Sequence, residues 1–244
     1  MKILRLTPIL LSLPTPLLAA PIDRDSALTL PDVVISANRQ VEDRNQSSAA
    51  STVFTRDDIE RLQPGSVEEL LTRVPGVQVA RTGGRGSLPG IFIRGTKSAQ
   101  SLVLVDGQRI ANTSSGDSGL QYLPIEQIER VEVLRGSRSA IYGSDAMGGV
   151  IQIFTRRGAE QGLQARMRLA AGSRNNFERS LGLSGGDGRT RFSLGASLDE
   201  SAGIDDTRQS YASDQDHDAW RNRSLSLNPV SYTHLRAHET RGNL

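Results

Sequence analysis

Between Gln164 and Leu169 the apolar residues Ala165, Met167 and Leu169 alternate with Gln164, Arg166 and Arg168. The segment 190–198 repeats this period, with Phe192, Leu194, Ala196 and Leu198 set against Arg191, Ser193, Gly195 and Ser197. Shorter copies centre on Leu181/Leu183 and Leu225/Leu227, and Gly185-Gly186-Asp187-Gly188 supplies a turn before residue 190. Period-two alternation in runs of about ten residues is the pattern of a transmembrane β-barrel, apolar toward lipid and polar toward a lumen. An antiparallel sheet with one wet face alternates in the same way. The pattern admits both.

Upstream of Arg157 the rhythm is that of mixed α/β structure. Thr55, with Asp57 and Asp58 behind it, predicts the start of a short helix, since a threonine oxygen accepts a backbone N–H and acids favour the first turn. Ser66 and Glu69 read as a better capping box, opening a helix that buries Val67, Leu70, Leu71 and Val74 before Pro75-Gly76 stops it. Short strands are expected over 77–80, 91–94 and 102–105. Asp106-Gly107 then predicts a hairpin to 108–110, because both residues tolerate positive φ. A third short helix is expected over 124–130, and strands over 131–134 and 150–155. Between these last two lie Arg135, Gly136, Arg138, Gly143, Gly148 and Gly149. That is more glycine and charge than a free-standing domain needs, and it suits a unit that folds inside something else.

The first twenty residues, MKILRLTPILLSLPTPLLAA, have the layout of a secretory signal peptide: Lys2 and Arg5, a short apolar core, then Ala19-Ala20. Pro8, Pro14 and Pro16 break a run already too short to span a bilayer as a helix. Residues 21–51 are polar, except for the island Val33-Val34-Ile35. Such an island is either a lone edge strand or a peptide that adds to a partner's sheet.

Composition narrows the function. Basic and acidic residues nearly balance, 29 against 27, and no nucleic-acid motif is present, so nucleic acid is not an expected partner. The absence of cysteine excludes disulfides, thiol catalysis and cysteine zinc sites. Gly83-Gly-Arg-Gly-Ser-Leu-Pro-Gly90 is neither a phosphate loop nor a dinucleotide fingerprint. No Ser/His/Asp set can be placed among three histidines, and His234 with His238 lacks the glutamate of a metalloprotease. The chain is not expected to be an enzyme.

Several ordered segments carry a resemblance: PDVVISAN at 31–38, LLTRVPGV at 70–77, IFIRG at 91–95, LVLVDGQR at 102–109, IERVEVLRG at 128–136 and AIYGSDAMGG at 140–149. Together they resemble the TonB-dependent outer-membrane receptors. Within that family the stretches GGRGSLPGIFIRGT and RSAIYGSDAMGGVI are most similar to the cobalamin receptors, with ferric-siderophore receptors as the alternative. The implied fold class is an α+β plug domain followed by the first antiparallel strands of a truncated transmembrane β-barrel. The complete barrel would have about 22 strands and a plugged lumen. The implied organisation is a signal peptide over 1–20, an N-terminal segment over 21–51, a plug over 52–157, and first wall strands over 158–228. A plug faces a polar wall, so Arg94, Arg135 and Arg138 are expected to pair with wall carboxylates.

The resemblance also assigns sites. Pro31, Asp32, Val33, Val34, Ile35, Ser36, Ala37 and Asn38 match the TonB box, through which the TonB energy transducer pulls from the periplasm. Leu88, Gly90 and Lys97, with Ser114 and Ser115 in a second loop, match ligand-binding positions at the outer end. Lys97 departs from the neutral amide of the cobalamin pattern, and a cation there suits an anionic siderophore. Asp205, Asp214, Asp216 and Asp218, near Asp206, match a calcium loop, and hard carboxylate oxygens at alternate positions suit Ca²⁺; a solvated acidic loop reads the same way. No catalytic cofactor is implied. The remaining implied partners are cobalamin or a ferric siderophore, and outer-membrane lipid.

The segment 229–244 has no alternation and resembles translated sequencing-adaptor sequence, so it is set apart as a non-native tail. A barrel needs upwards of ~220 strand residues, and 161–228 has room for about four strands. A fragment is therefore expected. A passive porin would lack the plug and the box. A soluble periplasmic binding module, the reading from another class, would end near Arg157.

Overall fold

The computed structural model describes residues 34–35, 42–43, 50–111, 118–159, 161–188, 190–203 and 219–231. The signal-peptide segment, Ser114, Ser115 and the four aspartates of the expected calcium loop lie outside these residues, as does all of the TonB-box segment except Val34 and Ile35. Those two form β1 (Val34–Ile35), which pairs antiparallel with β2 (Glu42–Asp43).

The α/β unit begins with β3 (Ala50–Phe54), α1 (Arg56–Leu62) and α2 (Val67–Thr72). Thr55 and Asp58 form a reciprocal capping box: Thr55 Oγ1 accepts from the Asp58 N–H at 3.3 Å, and Asp58 Oδ2 accepts from the Thr55 N–H at 3.1 Å. The better box was expected at Ser66, and the structure differs. Ser66 Oγ accepts from the Glu69 N–H, but the Glu69 carboxylate turns to the N–H of Gly65 at 2.8 Å. One residue of displacement opens the reciprocal pair.

Next come the hairpin of β4 (Val77–Arg81) and β5 (Pro89–Ile93), then β6 (Ser101–Val105), β7 (Gln108–Arg109), β8 (Ile128–Arg135), α3 (Ser139–Tyr142) and β9 (Gly149–Thr155). A mixed five-stranded sheet runs in the order β3-β8-β9-β6-β7, with β6 and β9 parallel. Asp106 and Gly107 both take positive φ, 48° and 83°, in the two-residue turn between β6 and β7. The expected third helix is a single 3-10 turn, Ile125–Gln127, and β8 starts at Ile128. Pairing with β9 extends the strand backward across an irregular register near Arg130, and fully buried Ile128 anchors it.

The core lies between α1, α2 and one face of this sheet. Val67, Leu70, Leu71 and Val74 pack with Val131, Val133, Ile151, Ile153 and Ile91, all of them buried. Fully burying such a side chain stabilises by about 1.5–3 kcal/mol. The β5 and β9 layers meet so closely at Gly149 that an added Cβ would fall onto the carbonyl of Leu134 and 3.1 Å from Ile93 Cδ1. Part of the glycine richness of 136–149 is therefore steric.

Four long strands follow in sequential antiparallel order: β10 (Gln161–Gly172), β11 (Asn176–Asp187), β12 (Thr190–Ser201) and β13 (Trp220–Ser231). Arg174 and Asn175, both at positive φ, close the first hairpin. β13 enters the segment set apart as a tail, and Pro229 sits opposite Phe192 on an edge strand, where its missing N–H is tolerated. One face of the sheet carries Leu163, Met167, Leu181, Leu225 and Leu227, all exposed. The other carries serines, asparagines and charges, and it lies against the α/β unit.

Candidate functional site: the polar seam between the α/β unit and the sheet

At one end of the seam the glycine-rich segment 82–88 lies against the tops of β11, β12 and β13. Arg85 donates to Glu178 and Asp199, each at 2.7 Å, and to Asn176 Oδ1 at 2.9 Å. Its guanidinium also lies over the Trp220 ring, 5.5 Å from the centroid. Gly86 permits this approach: a Cβ there would fall inside the indole of Trp220. Charge-assisted bonds to two carboxylates are among the stronger polar contacts, and they fix the loop's position on the wall.

In the middle, Arg168 of β10 reaches Gln63 Oε1 at 2.5 Å, with Glu126 at 3.4 Å and Glu178 at 3.7 Å. Glu126 also pairs with Arg56 at 3.2 Å, and Arg56 donates to Glu60 at 2.8 Å and to the carbonyls of Ile125 and Ile128. The Arg56 hydrogen bond holds the Glu60 carboxyl below its usual range, with burial working in the other direction. Gln127 Nε2 donates to Ser224 Oγ at 2.9 Å, and Ser224 is bonded to Ser197 at 2.7 Å. At the far end Asn228 Nδ2 donates to the Arg156 carbonyl at 3.2 Å.

A cavity of about 570 Å³ opens between α2, the 82–88 segment and β11–β13. Glu68 lies in its lining, buried, with Arg81 at 3.3 Å, and the Asp199 Oδ1 oxygen there has no protein partner. Polar buried atoms in a space this large are served by water. The seam is ionic and hydroxyl-rich, with Val79, Leu123, Ile125 and Trp220 as apolar members of the cavity lining.

The expected ligand positions divide. Gly90 lies in β5 opposite Ala80, and Lys97 is exposed just after β5. The Ile91 N–H donates to Ser98 Oγ at 3.0 Å, so Gly90 and Lys97 flank one hydrogen bond and share a locale. Leu88 is half-buried at the close of the 82–88 segment. The expected wall pairing of Arg94, Arg135 and Arg138 is not seen: none has a carboxylate partner among the described residues. Arg135 instead donates to the carbonyls of Pro75 at 2.9 Å, Ala50 at 3.4 Å and Ser51 at 3.5 Å, and Arg138 to that of Ser137. The reason is positional, because the four strands contact the 56–63, 82–88 and 121–127 side of the unit. Sequence reasoning missed Arg85, although a lone cation among glycines facing inward Glu178 and Asp199 was a readable signal.

Residues 43–150 match the family model for the TonB-dependent receptor plug domain. The α/β unit is thus similar to a TonB-dependent receptor plug. Solved structures agree with the plug-in-wall arrangement. The siderophore receptor PirA from Pseudomonas aeruginosa is 28% identical, with a TM-score of 0.55, over 78% of this chain and 33% of PirA. The ferric yersiniabactin uptake receptor FyuA from Yersinia pestis is 25% identical, with a TM-score of 0.53, over 64% of this chain and 25% of FyuA. The pyoverdine outer membrane receptor FpvA from Pseudomonas aeruginosa PAO1, at 21% identity and a TM-score of 0.61 over 70% of this chain and 25% of its own, shares the fold. The chain thus spans a third or less of these receptors. Strands β3–β9 and β10–β13 resemble the plug and the first antiparallel wall strands of such a receptor.

Proposed function

We propose that the chain supplies the plug and first wall strands of an outer-membrane receptor that imports a ferric siderophore, energised by the TonB transducer. One observation carries the reading: the plug sits on the polar face of a sheet whose opposite face exposes leucines, as a lumen-filling domain against a lipid-facing wall requires. A soluble binding module has no use for that exposed face.

The siderophore rather than cobalamin is favoured by the relatives, of which PirA is a siderophore receptor and FyuA a ferric yersiniabactin uptake receptor. Exposed Lys97 beside Gly90 adds a cation suited to an anionic chelate. Residues 31–38 serve as the TonB box in this reading, since an extended peptide around Val34 adds to a partner's sheet through main-chain bonds alone. Asp205, Asp214, Asp216 and Asp218, in the sequence between β12 and β13, supply carboxylate oxygens for Ca²⁺ in this reading. Calorimetry that records no heat with millimolar-range Ca²⁺ removes the metal. Uptake of radiolabelled iron siderophore, lost on deleting the gene and not competed by cobalamin, is the expected result; the reverse competition restores cobalamin.

A further inference from the structure

Where the chain passes from β9 toward β10, residues 155–159 are pinned at several points. The Thr155 N–H donates to Asp106 Oδ1 at 3.0 Å, and the Arg156 N–H to the Gln127 carbonyl at 2.9 Å. Asn228 of β13 holds the Arg156 carbonyl. Gly158, at φ of 92°, lies flush on β12: an added Cβ would stand 2.3 Å from the carbonyl oxygen of Phe192. The link is a fixed floor, not a loose tether.

Over this floor opens a cavity of about 510 Å³ with five arginines in its lining. Arg130, Arg156 and Arg157 come from β8 and the link, Arg166 from β10 and Arg191 from β12; Glu129 is the one acid among them. Arg130 pairs with buried Glu132 at 2.9 Å and rests 4.3 Å from the centroid of Phe154. Glu60 and Glu129 stand 3.4 and 3.9 Å from Arg156. Arg166 meets neutral groups, donating to Gln164 Oε1 at 2.6 Å and to Ser184 Oγ at 3.3 Å. Arg157 is exposed, and neither it nor Arg166 has a carboxylate partner among the described residues. Burial, and after it the nearby charges of Arg56 and Arg166, hold the Arg156 guanidinium below its usual pKa. An anion in the cavity relieves both the repulsion and the two unanswered cations.

The volume falls within the range of small-molecule sites, about 300–1,000 Å³. Guanidinium forks match carboxylate and phosphate oxygens two at a time. We propose that this basin binds a small polyanion, a molecule carrying two or more carboxylate or phosphate groups. Arg157 and Arg166 take its charges first, because they have no acid to give up. Arg130 and Arg156 stand on the α/β unit, Arg166 and Arg191 on the wall, so one bound molecule joins the two. The site is separate from the expected ligand positions, since none of Leu88, Gly90 and Lys97 lines it.

The complete receptor, purified in a zwitterionic detergent, is titrated calorimetrically with citrate and, separately, with pyrophosphate at one ionic strength. One saturable site is expected, and the tighter probe tells whether carboxylate or phosphate groups suit it. The pair Arg157→Gln and Arg166→Gln should weaken that binding roughly tenfold or more, the worth of one charged hydrogen bond. Arg157→Lys with Arg166→Lys should lose less, because the charges stay. Arg179→Gln, an exposed arginine outside the basin, should leave binding unchanged. Both basin arginines replaced are exposed, so the glutamine pair keeps the fold, which its circular-dichroism spectrum checks. No saturable heat from either probe, equal binding by the glutamine pair, or the same loss in Arg179→Gln overturns the proposal.

Discussion

Arg85 on the plug and Trp220 on the wall meet face to ring, 5.5 Å from guanidinium carbon to indole centroid, while the same arginine bonds two wall carboxylates. This one side chain joins the 82–88 loop to three consecutive wall strands. Movement of that loop therefore begins with the loss of Arg85 contacts.

Replacing Arg85 with alanine leaves Asp199 without its cation and Glu178 with only Arg168, 3.7 Å away. Stranding partly buried polar groups costs about 1–3 kcal/mol. Amide hydrogen exchange over 82–88 should accelerate while α2 and β9 keep their protection. Adding Glu178→Gln and Asp199→Asn to the Arg85 variant should recover part of the loss.

Gly86→Ala tests the same contact by shape. The new methyl group occupies the indole position, and the backbone there has φ of 93°, which a side chain rarely adopts. Trp220 is the chain's single tryptophan, so its emission reports the site alone. A red shift toward solvent-exposed indole is expected. Unchanged emission would falsify the packing of the loop on the wall.

On the proposed TonB-box role of residues 31–38, a proline at Val34 should abolish energised uptake while leaving ligand binding at the unaltered level. Proline removes the N–H that strand addition uses. Parallel binding and uptake assays on cells producing the variant check this. Equal loss of both would point to misfolding instead.

Glu60 gives a pH signature. Its carboxyl is lowered in the folded state, chiefly by the Arg56 hydrogen bond. The stabilisation it lends is present above the unfolded pKa and is lost as pH falls through the lowered folded value. The group is half exposed, so solvent screens the effect and the change is small. Acid titration of plug stability should be shallower in Glu60→Gln than in the unaltered chain.

Much of this fold is legible in the sequence because its signals are local. Val67, Leu70, Leu71 and Val74 announce a buried helix face, Asp106-Gly107 announces a hairpin, and period-two alternation announces the antiparallel strands β10–β13. What escaped depends on partners distant in the chain. The 124–130 stretch scans as helix, yet β9 draws Ile128 and Arg130 into a strand, with Arg130 set 4.3 Å from the centroid of Phe154. Arg135 reads as a wall contact because charge alone cannot say whether a carbonyl or a carboxylate will meet it. Strand lengths were understated because Arg174-Asn175 closes its hairpin without a glycine. Arg85 was passed over because its partners lie more than ninety positions away.

The wet cavity and the hydroxyl, amide and ion contacts around it have a mechanical consequence. Pulling plug from wall along this seam hands its ion pairs and hydroxyls to solvent and bares few apolar side chains, Val79, Leu123 and Trp220 among them, so the displacement carries a smaller heat-capacity change than unfolding of the core. Such a joint resists creep through many small bonds, yet it can slip under a directed pull and re-form when the pull ends.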